Sequence, residues 1–518
     1  MTNQSSCEVE ELLKNKRKIG KRLIYIGLPL TLVLLLGAAL STYFWQMRLQ
    51  KPEEINMAHH QMAAGMASMT SMADMTGMEH MEGRESSSSE EGGVSCASIT
   101  IPESSAPIRK FDLTAAKTTL KLDNGKTVEA WTFNGISPGP ELRVTEGDRI
   151  VVTLHNKDIE DGVTIHWHGL AVPCSQDGIS GVTQDAVPPG EQFTYSFIAT
   201  TPGTYWYHSH QMSSIQVSKG LLGALIVEPK KGSESDPSTS EATALYQQLG
   251  SSMLVNGSVI GLSIPGKPGE QVRLRLINSG NETMEFGVDG APFRVMAMDG
   301  HDLHEPGLLE GKIVPIGAGQ RYDLLIQVPE SGKVVVSSPS AKGLPVTIGS
   351  GSQPQHKEGG QLFSFVHYGT PLPNDPVLQI KPDRHYELKL GQTLFTKSIN
   401  GKSFHEIPPM TVKKGDHVLI TVTNEGGGDH PFHLHGHVFR VLSKNGSALQ
   451  GSPVYLDTLL TKEGETYELY LEADNPGLWM IHCHNLKHAS MGMSMMLNYE
   501  GITTPYRVGT KSGNLPDL

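Results

Sequence analysis

The sequence predicts an all-β protein of three β-sandwich domains in series, preceded by a transmembrane anchor and a disordered, Met-rich tether. Three observations carry this reading. One template recurs in "FNGISPGPELRVTEGDRIVVTLHN" (133–156), "LVNGSVIGLSIPGKPGEQVRLRLIN" (254–278) and "SINGKSFHEIPPMTVKKGDHVLITVTN" (398–424): Asn-Gly, then Gly with Asp or Glu, then alternating apolar residues ending in Asn. Residues 23–45 carry no charge, and residues 46–107 contain no aromatic side chain.

At the N-terminus, "KNKRKIGKR" (14–22) contains six lysines and arginines, which assigns a basic segment, 1–22, to the cytoplasm. The uncharged run 23–45 is long enough to cross a bilayer as a helix. The chain is therefore expected in the cell membrane as a single-pass protein, with its domains on the extracytoplasmic side. A cleaved signal peptide, with a small-residue site near Ala39 and Ser41, is the competing reading. The length of the run and the aromatic residues at its outer end favour the anchor.

The tether, 46–107, includes "ESSSSEEGG" and cannot bury a core of its own, so it reads as a flexible spacer. Within it, residues 57–81 hold eight of the 21 methionines, with Met66, Met69, Met72, Met75, Met78 and Met81 at every third position and His59, His60 and His80 beside them. Thioethers select Cu(I). Gly65 and Gly77 interrupt a helical stripe, so Cu(I) capture is favoured over a neutral spacer or a packed helix.

The three template copies keep one interval, Gly147 to Asn156, Gly269 to Asn278 and Gly415 to Asn424. A Gly-containing turn followed by period-two alternation is a hairpin and strand. Three copies give three sandwiches, at 108–232, 245–370 and 371–502, with a tail at 503–518. At 518 residues the chain has room for them, and its net charge of −12 argues against a nucleic-acid partner. Four cysteines, Cys7, Cys96, Cys174 and Cys483, make no disulfide framework. Cys96 and Cys174 either pair or stand as unrelated thiols.

Four His-x-His pairs mark the first and third domains: "HWHG" (His166, His168), "HSH" (His208, His210), "HLHG" (His433, His435) and "HCH" (His482, His484). Residues two apart share a strand face, so each pair presents two imidazoles together. One such pair is weak evidence for a metal; eight imidazoles exceed what ordinary four-ligand zinc sites use. "TPGTYWYHSH" matches "NPGLWMIHCH", with the first His six residues after Pro202 and Pro476 alike, and Ser209 in the place of Cys483. The simplest use of the eight is one metal cluster where the two domains meet. The second domain keeps fold signals such as "PFRVMAMDG" (compare "VFRVLSKNG") but has no such pair, and is read as a spacer. Left over in the ligand-rich stretches are His430, Cys483, His488 and a methionine, Met491 or Met493: two imidazoles, a thiolate and a weak thioether, the set of a blue-copper site. Cys483 would face away from His482 and His484 while bonded to both, a short route into the cluster.

These motifs resemble those of the multicopper oxidase family, of laccase and cuprous-oxidase type, over residues from about 108 to 500, and the anchor and Met-rich segment suggest a compact bacterial copper-tolerance member. The resemblance implies cupredoxin-like Greek-key sandwiches and four copper ions. It implies that His430, Cys483, His488 and Met493 hold the type 1 copper, His166 and His433 the type 2 copper, and His168, His208, His210, His435, His482 and His484 the binuclear type 3 pair. Members couple four one-electron oxidations of a reducing substrate to reduction of O2 to two waters. Asp177, in "HWHGLAVPCSQDG", matches a position where the family often has an acid near the cluster; a solvated loop carboxylate is the plainer alternative. Where cuprous oxidases often carry Glu after the second type 1 histidine this chain has Ala489, which leaves a second proton route in doubt.

Cu(I) is the favoured substrate, with Fe(II) and phenols as alternatives. Asp429, beside His430, would favour a cationic donor, although an acidic turn residue is the more ordinary reading. A non-catalytic copper-sequestering protein is the rival class; a degenerate scaffold would have lost ligands, and a two-domain copper nitrite reductase is disfavoured by the third repeat.

Overall fold

Each Asn-Gly dipeptide of the repeat closes a tight turn. Asn134, Asn256 and Asn400 have φ of 56°, 48° and 55°, and Gly135, Gly257 and Gly401 have φ of 78°, 82° and 72°. Two successive left-handed residues are what a type I′ hairpin turn demands, and Asn-Gly meets the demand at least strain. The asparagine side chains also do one job three times: Asn134 Oδ1 accepts from Thr114 N and its Nδ2 donates to Asp112 O. Asn256 does the same with Leu245 and Thr243, and Asn400 with Lys389 and Glu387. The closing asparagines are equivalent too. Asn156, Asn278 and Asn424 are buried and each donates to two backbone carbonyls.

The computed structural model describes residues 53–58, 93–102, 104–230, 239–341, 343–355, 360–394 and 396–517. The basic segment, the anchor and the methionines from 62 to 81 lie outside the described residues. Glu54–Leu518 form one compact unit. Among the described residues no helix is long and apolar enough to cross a membrane.

Repeated sequence gives repeated topology. The template strands Arg149–Asn156, Gln271–Asn278 and His417–Asn424 each pair in parallel with an earlier strand, Ile108–Lys121, Thr239–Leu249 and Arg384–Gln392, and antiparallel with a later one. Three pairs of sheets result, with strands between 108 and 228, 239 and 362, and 384 and 499. The second pair starts at Thr239, ahead of the expected residue 245, because the strand Thr239–Leu249 is in register with Gln271–Asn278 from its first residue. The histidine pairs lie in, or run just past the ends of, strands of the sheets Gly139–Thr145, Leu222–Glu228, Gly203–His208, His166–His168 and Met410–Val412, Ser494–Tyr499, Leu478–Cys483, His430–Leu434, Thr458–Thr461. Cross-strand register sets His166 opposite His208 and His433 opposite His482.

The flexible spacer expected over 46–107 needs correction at both ends. Ile55 bridges Val508, Met57 is fully buried in the core, and Asn498 Nδ2 donates to its carbonyl. Val94–Ser95 pairs in parallel with Ile502–Thr503. A stretch without aromatics cannot build a core, yet it can dock on one built by others. Cys96 and Cys174, both buried, form a disulfide that ties this segment to the loop after "HWHG". The tail 503–518 is likewise docked: Asn514 Oδ1 accepts from Ala186 N, and Asp517 accepts from the Ser213 hydroxyl and Ser214 N.

The 78-residue separation of Cys96 and Cys174 makes the bridge worth about 2–4 kcal/mol through loss of unfolded-chain entropy. Replacing both by serine should lower the thermal midpoint and expose Arg109 and Lys110 to early tryptic cleavage, read by mass spectrometry. Unchanged cleavage would mean that strand pairing alone holds the segment.

Candidate metal centres

Two sets of donors come together. The first contains the eight paired histidines, all at most 1% exposed. Four of them, His166, His168, His208 and His433, have one ring nitrogen held and the other bare. His166 Nδ1 lies 3.0 Å from the Asp177 carbonyl, His208 Nδ1 3.0 Å from Ser209 O, His433 Nδ1 3.0 Å from Asp457 O and His482 Nδ1 3.0 Å from Cys483 O. His435 Nδ1 donates to Asp177 Oδ2 at 3.0 Å. The opposite nitrogens of His166, His208 and His433, and both nitrogens of His210 and His484, have no hydrogen-bond partner. His435 Nε2 and His482 Nε2 face each other at 3.1 Å.

A buried polar atom without a partner costs on the order of 1–3 kcal/mol. Ring nitrogens held on one side and bare on the other, converging on a common space, are the signature of metal ligands with their supporting bonds in place. Three triads, two of them drawn from both domains (His166 with His433 and His435, and His210 with His435 and His482) and one from the first domain alone (His166 with His168 and His208), each bring their donor atoms within 4.8 Å. The residues present fit a cluster of metal ions.

The second set is His430, Cys483 and His488. Cys483 Sγ lies 3.8 Å from His430 Nδ1 and 3.6 Å from His488 Nδ1, and the two nitrogens are 3.2 Å apart. His430 Nε2 is taken by Gly426 O at 3.1 Å, leaving Nδ1 as the donor to a metal. His488 reaches Cys483 because the short helix Leu486–Ser490, capped by Asn485, turns the chain back by one turn. Met493 is fully buried, with its carbonyl accepting from Cys483 N, whereas Met491 is half-buried. Strand alternation holds: His482 joins the first set and Cys483 the second.

Asp177 is no solvated loop carboxylate; it is completely buried and bonded to His435 across the interface between the first and third domains. Ala489 is buried, with no acid there. The sequence reading missed a second carboxylate, Asp457, also fully buried, whose Oδ1 is 3.1 Å from His168 Nε2. Burial would raise its pKa, but Arg321, His168 and His433 outweigh it and hold the carboxyl well below its usual range. The signal available was an acid inside the apolar run "PVYLDTLLT".

This is the architecture of a copper protein with one cysteine-containing centre and one histidine cluster shared between domains. Multicopper oxidase family models match residues 114–232, 225–338 and 374–501. The chain is 27% identical to the multicopper oxidase MmcO of Mycobacterium tuberculosis, covering 72% of this chain and 84% of that one. It is 24% identical to a copper resistance protein A homolog of Pseudomonas syringae pv. tomato, covering 74% and 91%. The crystal structure of a multi-copper oxidase from Pseudomonas thermotolerans, 31% identical, superposes with a TM-score of 0.64 over 76% of this chain and all of that one. The protein belongs to the multicopper oxidase family. It is an oxidoreductase with O2 as acceptor, built from cupredoxin-like domains and using one type 1, one type 2 and a binuclear pair of type 3 coppers.

Burial, then neighbouring imidazoles, pushes His208, His210, His435, His482 and His484 well below the ordinary histidine value, and burial with Lys397 beside it brings His488 down to about 3. The unfolded chain takes up protons near pH 6.5 that these folded imidazoles refuse, so their contribution is complete above that pH and is lost as pH falls. The metal-free protein should therefore show a steep drop in thermal midpoint between about pH 7 and about pH 5. A flat profile would mean that the imidazoles are not buried together without metal.

Proposed function

We propose that this is a membrane-anchored, extracytoplasmic cuprous oxidase acting in copper tolerance, with Cu(I) as substrate and ligands divided as the family motifs imply. The type 1 copper falls to His430, Cys483, His488 and Met493, the type 2 copper to His166 and His433, and the type 3 pair to His168, His208, His210, His435, His482 and His484. Bound copper supplies reversible one-electron redox change and, at the cluster, the affinity for O2. The chain's own residues do the rest: they hold lone pairs aimed inward, exclude water, and connect the two ligand sets by the covalent sequence His482-Cys483-His484.

The substrate reading is carried by one observation. His488, alone among these twelve residues in being only half-buried, lines a surface cavity of about 420 Å³ together with Glu282, Glu285, Asp429 and Asn281. Asp429 is held there by the Thr283 hydroxyl at 2.6 Å, across the boundary between the second and third domains. Three carboxylates line the cavity with the half-buried imidazole, and although Glu285 is paired with Lys462 at 3.5 Å, Glu282 and Asp429 favour a cationic donor over a neutral phenol. Fe(II) has the same attraction to them; the Met-rich segment, with soft thioethers and both flanks docked on residues 498–508, tips the reading to Cu(I).

Asp177 is assigned the proton role, since each O2 reduced to water takes up four protons and this buried carboxylate bonds His435 directly. The anchor is supported by the uncharged run behind six basic residues, and the extracytoplasmic side by the disulfide, which an oxidising compartment maintains.

Two experiments test this reading. Cys483→Ser should abolish both the blue colour and O2 uptake with any reductant, while the protein still folds; surviving turnover would break the assignment. In the full chain, Met62, Met66, Met69, Met72, Met75, Met78 and Met81 changed to Leu, and separately Glu282→Gln with Asp429→Asn, should each raise the KM for Cu(I) several-fold and leave phenol oxidation unchanged. Equal effects on both substrates would argue for a laccase with a spacer instead.

A further inference from the structure

We infer that the central domain, which has no histidine pair, is part of the copper-binding apparatus: its Arg321 acts through Asp457 as a positioning residue for His168 and His433. The inference rests on the assignment of the eight histidines proposed above.

Arg321 opens the strand Arg321–Gln327 and is fully buried. Its guanidinium makes the two parallel bonds for which a planar fork is suited, Nη1 to Asp457 Oδ1 at 2.8 Å and Nη2 to Oδ2 at 2.7 Å. Nε donates to the carbonyl of Thr204 at 2.9 Å, on the strand Gly203–His208 that ends in a cluster histidine. One side chain thus ties the central domain to a carboxylate of the third and to the backbone of the first.

Asp457 passes that constraint on. Its Oδ1 also accepts from the Thr458 hydroxyl at 2.7 Å and lies 3.1 Å from His168 Nε2, while its carbonyl receives His433 Nδ1. His168 is consequently the one paired histidine with Nε2 engaged and only Nδ1 bare, the reverse of His166, His208 and His433. The ring is flipped in the sense that matters for ligation, and the Asp457–Thr458 pair accounts for it. Gly169 shows how closely the parts are fitted. Its φ is +88°, and a Cβ there would lie 2.3 Å from Arg321 Nη2 and 2.6 Å from Asp457 Oδ2. The glycine of "HWHG" is thus the residue that lets the His168 backbone lie against the ion pair.

A neighbouring pair provides the control. Arg275, 2% exposed, bonds Asp323 Oδ2 and the Thr204 hydroxyl at 2.8 Å, in the same seam between the first and central domains, and hydrogen-bonds no histidine among the described residues.

The test uses the full chain loaded with copper and compares Arg321→Lys, Arg321→Met, Asp457→Asn and Arg275→Lys. Copper content, the type 2 paramagnetic resonance signal, the blue type 1 band and release of copper to a chelator are measured. The blue band, formed by residues distant in sequence from Arg321, reports that each variant is folded. Arg321→Met and Asp457→Asn should lose cluster copper to chelator about 10–100 times faster than wild type and show an altered type 2 signal, with the blue band retained. Arg321→Lys keeps the charge but not the fork and should fall between; it answers the question if Arg321→Met fails to fold. Wild-type copper retention and an unchanged signal in the Arg321 and Asp457 variants would overturn the inference. So would an equal loss in Arg275→Lys, which would show a general loosening of the seam. Wild-type protein lacking four coppers or a type 2 signal would instead bring down the ligand assignment beneath it.

Discussion

Buried imidazole nitrogens without partners are the constraint on which the rest of this structure depends. A protein interior tolerates few unsatisfied polar atoms, yet here they are gathered at one interface, on His166, His168, His208, His210, His433 and His484. No group among the described residues satisfies them; His166, His168, His208 and His433 are held from behind by carbonyls, a carboxylate or a hydroxyl, and both nitrogens of His210 and His484 are bare. The arrangement makes sense only as a place where ligand bonds replace hydrogen bonds, and it dictates how the domains must meet. Four histidines come from each side, so the first and third domains have to be brought together face to face, and everything between residues 230 and 380 has to allow it.

The economy of the second centre follows from strand geometry. Side chains alternate along Leu478–Cys483, so one strand serves the cluster with His482 and the cysteine-containing centre with Cys483. A single helical turn then returns His488 to the sulfur, and that turn is also what brings one imidazole to the surface. Burial and access are thereby separated within a dozen residues: the cluster is sealed, while the other centre meets solvent at His488 and its acidic cavity.

Much of this was legible from the amino acids. The Asn-Gly turns, the glycine before each template strand and its closing asparagine are local devices, and local devices can be read locally. The His-x-His pairs were legible for the same reason, since period-two alternation fixes what shares a face. What escaped was non-local. Asp457 and Arg321 lie 136 residues apart, and although an acid in the apolar run "PVYLDTLLT" is a local signal, nothing local names its partner. The docking of Ile55 on Val508 and of Val94 on Ile502 joins segments more than 400 residues apart, and a composition without aromatics forbids a private core without forbidding a borrowed one. Asp299 shows the limit from the other side: it stands in the fold signal "PFRVMAMDG", where its φ of 47° matches 51° at Asn445 of the third domain, yet its carboxylate accepts from Arg321 N and Thr458 N beside the cluster.

The two buried carboxylates are arranged crosswise, and the crossing separates their tasks. Asp177 belongs to the first domain and holds His435 of the third; Asp457 belongs to the third and stands against His168 of the first. Each carboxylate thus fixes a ligand of the other domain, so the placement of His435 and His168 is a property of the assembled interface, while His166, His208, His433 and His482 are held by carbonyls of their own domains. The carboxylates differ in one respect. Asp457 is clamped in both oxygens by Arg321, its charge committed to a cation, whereas Asp177 has no arginine or lysine partner among the described residues. A carboxylate locked in a fork is suited to holding a ring in place; Asp177 instead faces only imidazoles, with Oδ1 3.1 Å from His166 Nδ1 and Oδ2 3.0 Å from His435 Nδ1. On that ground the proton role we propose goes to Asp177 and the positioning role we infer goes to Asp457, and with Ala489 where a second acid would stand, that proposal asks a single carboxylate to serve the cluster's proton supply.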